Sequence, residues 1–207
     1  RFGIHYEMDA RLRPEGRKGQ LVLDLDSYQR YYAHSAATWE RQALLKARLV
    51  GGDGALGREF AALAESVVYG AALTDAQTDE VRAMKRRIET ERLRDPNDLK
   101  LGPGGMTDIE WTAQLLQLRH GARRPRLRTP GTLDALRRLR DDALVTQADW
   151  EILSETYMRL IGLRNHLYLR AGVSLNAPIA LPSDLRARMT AAREVCERVF
   201  YGSGYVP

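Results

Sequence analysis

Cysteine and long apolar runs are the features that this sequence most clearly lacks. Its 207 residues include one cysteine, Cys196, which excludes an internal disulfide framework and a zinc site made of cysteines. No apolar run approaches the roughly 20 residues that a membrane-spanning helix needs, and no signal peptide precedes the first predicted strand. We therefore expect a protein of the reducing cytoplasm that does not enter a membrane.

Histidine is also sparse. His5, His34, His120 and His166 are widely separated and show no metal-ligand spacing, so the sequence does not predict a histidine zinc site. Ser203 lies in "GSG", but neither a nucleophile elbow nor a paired base accompanies it. The patterns of the common zinc and serine enzymes are thus missing.

Charged residues, in contrast, are plentiful and of both signs. The chain has 32 Lys and Arg against 27 Asp and Glu, a formal net charge of +5. That excess suits an anionic partner such as a nucleotide, a nucleic acid or an acidic protein surface. Because the two signs are mixed along the predicted helices, a solvated basic surface is an equally good explanation. The basic cluster "RHGARRPRLR", residues 119–128, is predicted to be a surface loop between helices.

The pattern of apolar residues divides the chain near residue 51. Before it, the strand-like "FGIHYEMD" and "QLVLDL" are joined by the turn-rich "RPEGRKG", and an amphipathic segment follows over 27–50. After "GGDG", helical spacing predicts helices over 56–70, 75–94, 107–120, 129–145, 147–171 and 183–201. The predicted fold is α+β and mostly α, with domains at 1–51 and 52–207. Since Arg1 already lies in a strand pattern, we expect residues of this fold upstream.

Three residues are candidate helix starts. Thr107, with Glu110 three positions on, has the spacing of a capping box directly after "LGPGG". Thr146 and Ser183 are similar candidate caps for the two helices that follow later.

Two acids and two arginines crowd into "HYEMDARLRP", residues 5–14. On a strand, Glu7 and Asp9 would share one face, and two carboxylates on one face indicate a metal ion. Arg11 and Arg13 follow, and guanidiniums beside acids suit a site for Mg²⁺ and a triphosphate. A solvated edge strand is the alternative, and for an isolated E-x-D it is the more frequent case.

Two further motifs resemble ligand sites but are better explained by structure. "DLD", Asp24 to Asp26, has the spacing of a two-metal pair, yet only a short turn precedes it, so Asp26 is interpreted as a helix start. "GPGG" before a helix resembles a phosphate cradle. No Lys-Ser/Thr follows it, and Asp108 and Glu110 in the first turn would repel a phosphate, which favours a structural turn.

Three longer blocks together resemble one family. "YEMDARLRPEGRKGQLVLDLDSYQRYY", "TWERQALLKARLVGG" and "DLKLGPGGMTDIEWTAQLLQLRHG" are similar, in order and separation, to the glutamine synthetase adenylyltransferases, the adenylyl-transferring/adenylyl-removing enzymes. The resemblance implies a remnant of a polymerase β-like nucleotidyltransferase sheet followed by a helical bundle akin to that of PII uridylyltransferases. It also implies transfer of AMP from ATP to a tyrosine of glutamine synthetase, which regulates nitrogen assimilation, with Mg²⁺ as cofactor and the PII signalling protein as a further partner.

The resemblance assigns a role to Asp9, and the arginines that follow it are local candidates for contacts with the triphosphate or with active-site carboxylates. Asp9 corresponds to the family's third carboxylate and is therefore the predicted catalytic residue and metal ligand. Arg11 and Arg13 are the predicted nucleotide-binding residues, and Lys46, with Arg48, is a weaker candidate for which interdomain salt bridges or a solvated face are equally good explanations. The family's Gly-Ser turn and D-x-D pair have no counterpart in these residues, so we expect the chain alone to be inactive.

Several functions stay open at this point. "GGMTDIEW" resembles the transferase half of the family more than the "R-E-I-E-F" of the adenylyl-removing half, which is the alternative. A non-catalytic helical module that docks glutamine synthetase or PII protein is another. A basic nucleic-acid-binding bundle is a third, but no nucleic-acid motif supports it, and no nucleic acid is expected as a partner.

Overall fold

The computed structural model describes residues 13–93, 95–171 and 181–202, and helices dominate these ranges. Short 3₁₀ turns at Gly16–Lys18 and Pro125–Leu127 accompany eight helices of this part. They are α1 (Leu25–His34), α2 (Thr38–Leu44), α3 (Gly54–Tyr69), α4 (Asp75–Arg92), α5 (Met106–His120), α6 (Thr132–Asp141), α7 (Gln147–Ala171) and α8 (Ser183–Tyr201). No strand occurs in the described ranges, and none of their helices is both long and apolar enough to cross a membrane.

Helix α5 is the centre of the bundle. Every residue from Thr112 to Leu118 is buried, and a consecutive run of that length covers the whole circumference of a helix. A helix that is covered on all sides belongs to a core, and α5 packs against α6, α7 and α8, while α7 packs along α8. Leu139 of α6 and Phe200 of α8 are among the fully buried side chains around it.

The first four helices form a smaller layer beside this core. Helix α1 packs on α3, and α2 packs on both α3 and α4. Leu45 and Val68 form a small apolar cluster with Leu118 of α5. The N-terminal layer and the bundle are therefore joined by a shared apolar contact.

The helices predicted for the bundle are confirmed, with one shorter than expected. The segment predicted over 129–145 is helical only over Thr132–Asp141. Pro130 and Gly131 precede it, and Ala143 takes a left-handed conformation with φ 54° directly after it, which ends a right-handed helix.

The predicted strand "QLVLDL" is wrong. Residues 20–24 are irregular, and the carboxylate of Asp24 accepts a hydrogen bond of 2.7 Å from the backbone N–H of Ser27, so Asp24 is the N-cap of α1. Asp26 lies in the first turn and is not the cap. The amphipathic segment predicted over 27–50 is split into α1 and α2. The other strand pattern, "FGIHYEMD", lies outside the described residues.

Of the three predicted caps, only Thr146 is confirmed, because its hydroxyl accepts a hydrogen bond of 3.1 Å from the N–H of Asp149. The capping box of Thr107 and Glu110 is wrong. Helix α5 begins at Met106, one residue earlier, and the Glu110 carboxylate instead accepts from a tyrosine of α7. Ser183 is the first residue of α8 and makes no side-chain cap.

Candidate functional site

The backbone N–H groups of the "GPGG" turn donate to acceptors within the protein, so none of them is left for a phosphate. The N–H of Gly104 donates to Asp108 Oδ2 at 2.8 Å. The N–H groups of Met106 and Thr107 donate to the carbonyls of Leu99 and Lys100, each at 2.9 Å. A phosphate cradle needs free amides, so the interpretation as a structural turn is confirmed.

Asp108 is the centre of a charge cluster between α4, α5 and α8, which we call the Asp108 cluster and define as Lys85, Glu89, Asp108 and Arg193. Lys85 Nζ lies 2.8 Å from Asp108 Oδ1, and Arg193 Nη1 lies 2.9 Å from Asp108 Oδ2. Arg193 also pairs with Glu89 at 2.5 Å, and Lys85 contacts the same carboxylate. The cluster holds two cations and two anions and joins three helices.

The four charges support one another. Burial lowers the pKa of Lys85, but Asp108 and Glu89 outweigh burial and leave that pKa above its usual value. Burial raises the pKa of Glu89, but Arg193 and Lys85 outweigh it, so the pKa is lowered. Burial, followed by the charge of Asp108, raises the pKa of the neighbouring Cys196 to about 12. That thiol is neutral at physiological pH and is not a nucleophile.

A second polar network connects Lys46 to the bundle, and we call Lys46, Glu110, Thr132 and Tyr157 the Lys46 network. Lys46 Nζ donates to Thr132 Oγ1 at 2.6 Å, and the Tyr157 hydroxyl donates to Glu110 Oε1 at 2.6 Å. Burial lowers the pKa of Lys46, and the charge of Glu110 opposes that shift. Burial and the bond to Glu110 raise the pKa of Tyr157 to about 12. The network ties the sequence block "TWERQALLKARLVGG" to "GGMTDIEW".

Other side chains of α2 also serve packing. Arg41 donates to the carbonyl of Val68 at 2.8 Å and so satisfies the end of α3. The buried Gln42 donates to Gln114 of α5 at 2.8 Å. Glu40 accepts at 2.9 Å from the backbone N–H just before α2 begins. The polar residues of this block are therefore largely explained by contacts between helices.

The structure describes only some of the predicted site residues. Asp9 and Arg11 lie outside the described residues. Arg13 donates to the carbonyl of Gly19 at 3.2 Å and closes the turn before α1. Lys46 lies in the network above. Arg48 lines a largely apolar cavity of about 780 Å³ between α1, the α2–α3 connection and α3.

Residues that the sequence reasoning missed are Lys85, Arg193 and Tyr157. The sequence could have indicated that Asp108 and Glu110 need partners. Both are acids at the start of a helix that is otherwise covered on all sides, and buried acids require partners. Which cations meet them depends on tertiary packing. Within residues 13–93, 95–171 and 181–202, no group of three or more His, Cys, Asp or Glu side chains is arranged to hold a metal ion.

Known proteins match both parts of the chain. Residues 73–194 match the family model described as GlnD PII-uridylyltransferase, and residues 2–63 match that of glutamate-ammonia ligase adenylyltransferase. Both descriptions name nucleotidyltransferases. The chain belongs to the glutamine synthetase adenylyltransferase family.

Relatives bear the name bifunctional glutamine synthetase adenylyltransferase/adenylyl-removing enzyme. The protein of Leifsonia xyli subsp. xyli is 48% identical over 95% of this chain and 22% of its own length. That of Bifidobacterium longum subsp. infantis is 40% identical over 95% of this chain and 21% of its own length. That of Mycolicibacterium smegmatis is 44% identical over 80% of this chain and 17% of its own length. The chain thus spans about a fifth of the length of these relatives.

Proposed function

We propose that this chain is part of an enzyme that transfers AMP from ATP to a tyrosine of glutamine synthetase and thereby regulates nitrogen assimilation. The observation that carries the proposal is the match of residues 2–63 to the adenylyltransferase model, because this range contains "YEMDARLRP". In the proposed reaction the tyrosyl oxygen attacks the α-phosphorus of ATP. The bond to pyrophosphate breaks, pyrophosphate leaves, and an AMP-tyrosine ester remains.

Within this proposal, Asp9 is one carboxylate ligand for Mg²⁺, and Arg11 and Arg13 contact the ATP phosphates. Carboxylates together with substrate phosphates are the ligands that Mg²⁺ prefers. Lys46 is the weakest of the four assignments, since its ammonium group already donates to Thr132. Its position supports a role in joining the two domains, which we place at 1–51 and 52–207.

The helical bundle supports a second part of the proposal. Its match to the PII-uridylyltransferase model favours PII protein as a regulatory partner beside glutamine synthetase. The sequence has one cysteine, and we place the enzyme in the cytoplasm, where thiols stay reduced.

The proposal is tested with the full-length enzyme that contains this chain. It is incubated with glutamine synthetase, Mg²⁺ and ATP labelled at the α-phosphate, and label on tyrosine is measured. We expect transfer by the wild type, loss of most turnover in Asp9→Asn, and near-normal turnover in the control Asp26→Asn, which changes an acid in the first turn of α1.

Two results would contradict parts of this assignment. If Asp9→Asn still transfers label but no longer releases ADP from adenylylated glutamine synthetase in the presence of phosphate, the chain belongs to the adenylyl-removing half. Near-normal values of both activities in Asp9→Asn reject Asp9 as a metal ligand.

A further inference from the structure

The net positive charge of the chain is concentrated in one segment. Residues 119–142 contain eight arginines and three aspartates, so this segment carries a net charge equal to the +5 of the whole chain. The remaining residues hold equal numbers of acids and bases. The segment covers the end of α5, the α5–α6 connection and α6. Its first part contains the exposed Arg119, Arg123 and Arg126 and the half-buried Arg124, and we call these four residues the arginine patch.

The connection that carries the patch is held in one conformation. The N–H groups of Arg123 and Arg124 donate to the carbonyl of His120 at 3.1 and 3.0 Å. Arg138 of α6 donates to the carbonyl of Arg126 at 2.8 Å, and the buried Gln117 of α5 donates to that of Leu127 at 2.8 Å. Because both neighbouring helices fix this backbone, binding at the patch would not require the connection itself to be ordered.

The charges of the patch are only partly neutralised. Arg124 and Arg126 both approach Asp142 as ion pairs, although its carboxylate is 1% exposed and carries one negative charge. Arg119 and Arg123 are exposed, and in the described part of the chain no acidic side chain pairs with either. The positive charge of the patch also affects the neighbouring His120. Its pKa is lowered first by burial and then by the charges of Arg119 and Arg124.

The composition of the patch favours a protein over a nucleic acid. Its cations are all arginines, whose planar guanidinium groups pair with two oxygens of one carboxylate or of one phosphate. Residues 119–128 contain no Phe, Tyr or Trp on which a base would stack.

We propose that the arginine patch docks an acidic surface of the protein substrate, which in the function proposed above is glutamine synthetase. This inference rests on that proposed function. Contacts of this kind at an accessible rim act mainly on the association rate and weaken with ionic strength. The patch therefore acts on capture of the protein substrate and leaves the handling of ATP unchanged.

The test compares two doubly charge-reversed variants of the full-length enzyme. Arg119→Glu with Arg123→Glu changes the patch, and Arg58→Glu with Arg186→Glu changes two exposed arginines of α3 and α8 by the same charge. We expect the patch variant to raise the KM for glutamine synthetase roughly tenfold at low salt, with kcat and the KM for ATP unchanged. The control variant should stay close to the wild type. Arg119→Lys with Arg123→Lys keeps the charge but loses the planar guanidinium groups, so it should raise this KM less than the charge reversal does.

The outcomes separate this inference from the proposed function. An equal KM in the patch and control variants overturns the docking site, as does an effect that does not shrink when salt is added. Loss of duplex DNA binding in the patch variant, with an unchanged KM for glutamine synthetase, overturns it in favour of a nucleic-acid surface. If the wild type transfers no AMP, the proposed function fails, and the affinity of the same variants for glutamine synthetase then decides whether the patch binds it.

Discussion

Lys85 and Asp108 form an almost fully buried ion pair, with Lys85 Nζ 2.8 Å from Asp108 Oδ1 and side chains that are 3% and 5% exposed. A buried charge is tolerated only with its partner, and removal of one partner leaves the other without compensation. Asp108 also accepts from Arg193 and from the N–H of Gly104. The stability of the α4–α5–α8 contact should therefore depend strongly on this carboxylate.

We predict that Asp108→Asn lowers the free energy of unfolding by about 3–5 kcal/mol, measured by urea denaturation. The matched control is Glu91→Gln on α4, which breaks the exposed pair between Arg87 and Glu91 and should cost no more than about 0.5 kcal/mol. Equal losses in the two variants would show that the Asp108 cluster is not a structural centre.

The same cluster predicts a dependence of stability on pH. Folding lowers the pKa of Glu89, because Arg193 and Lys85 outweigh burial, so its contribution to stability is fully present above the usual pKa of 4.5 and is lost as the pH falls below it. In Glu89→Gln, Tm should therefore fall less steeply than in the wild type as the pH drops below 4.5. For Lys85 the sign is opposite. Its raised pKa keeps its contribution at neutral pH and removes it as the pH rises above 10.5. If Tm falls equally steeply with decreasing pH in the wild type and in Glu89→Gln, the role assigned to Glu89 is wrong.

Two glycines should respond to alanine in opposite directions. Gly104 has φ +70°, and a Cβ there would lie 1.8 Å from the carbonyl oxygen of Met189, so Gly104→Ala should be strongly destabilising. Gly162 lies within α7 and a Cβ there meets nothing within 4 Å. Gly162→Ala should stabilise the protein by about 0.5–1 kcal/mol. Thermal unfolding of both variants checks the pair, and a neutral Gly104→Ala would contradict the observed turn.

Removal of one hydroxyl should test the Lys46 network. Tyr157→Phe deletes the donor to Glu110 and leaves that carboxylate with one partner fewer, at a cost of about 1–3 kcal/mol. Tyr168→Phe, on the same helix, removes a hydroxyl for which no described partner exists and should change stability little. A similar effect of both substitutions in urea denaturation would argue against the network.

The helices of the bundle could be predicted from the sequence because their signals lie close together along the chain. Caps such as Thr146, breaks such as Pro130 and apolar spacing act within one or two turns, so they can be recognised without a fold. The alternation in "QLVLDL" was misleading because Asp24 satisfies the N–H of Ser27, and this capping bond begins a helix where the apolar pattern indicated a strand. The pairing of Asp108 with Lys85 and Arg193 spans distant positions, and only packing brings them together. Asp9 stays a prediction.

The exposed glycines at 51 and 52 separate α2 from α3, at the position where the sequence suggests that one domain ends. A protease that cuts there would nonetheless not release α2. Gln42 remains bonded to Gln114, and Lys46 to Thr132, across the cut. The nicked chain should migrate as one species on a sizing column and separate into two pieces only in denaturant. The glycine segment therefore links two parts of the chain that are also held together by side-chain contacts. It should not act as a hinge between the two proposed domains.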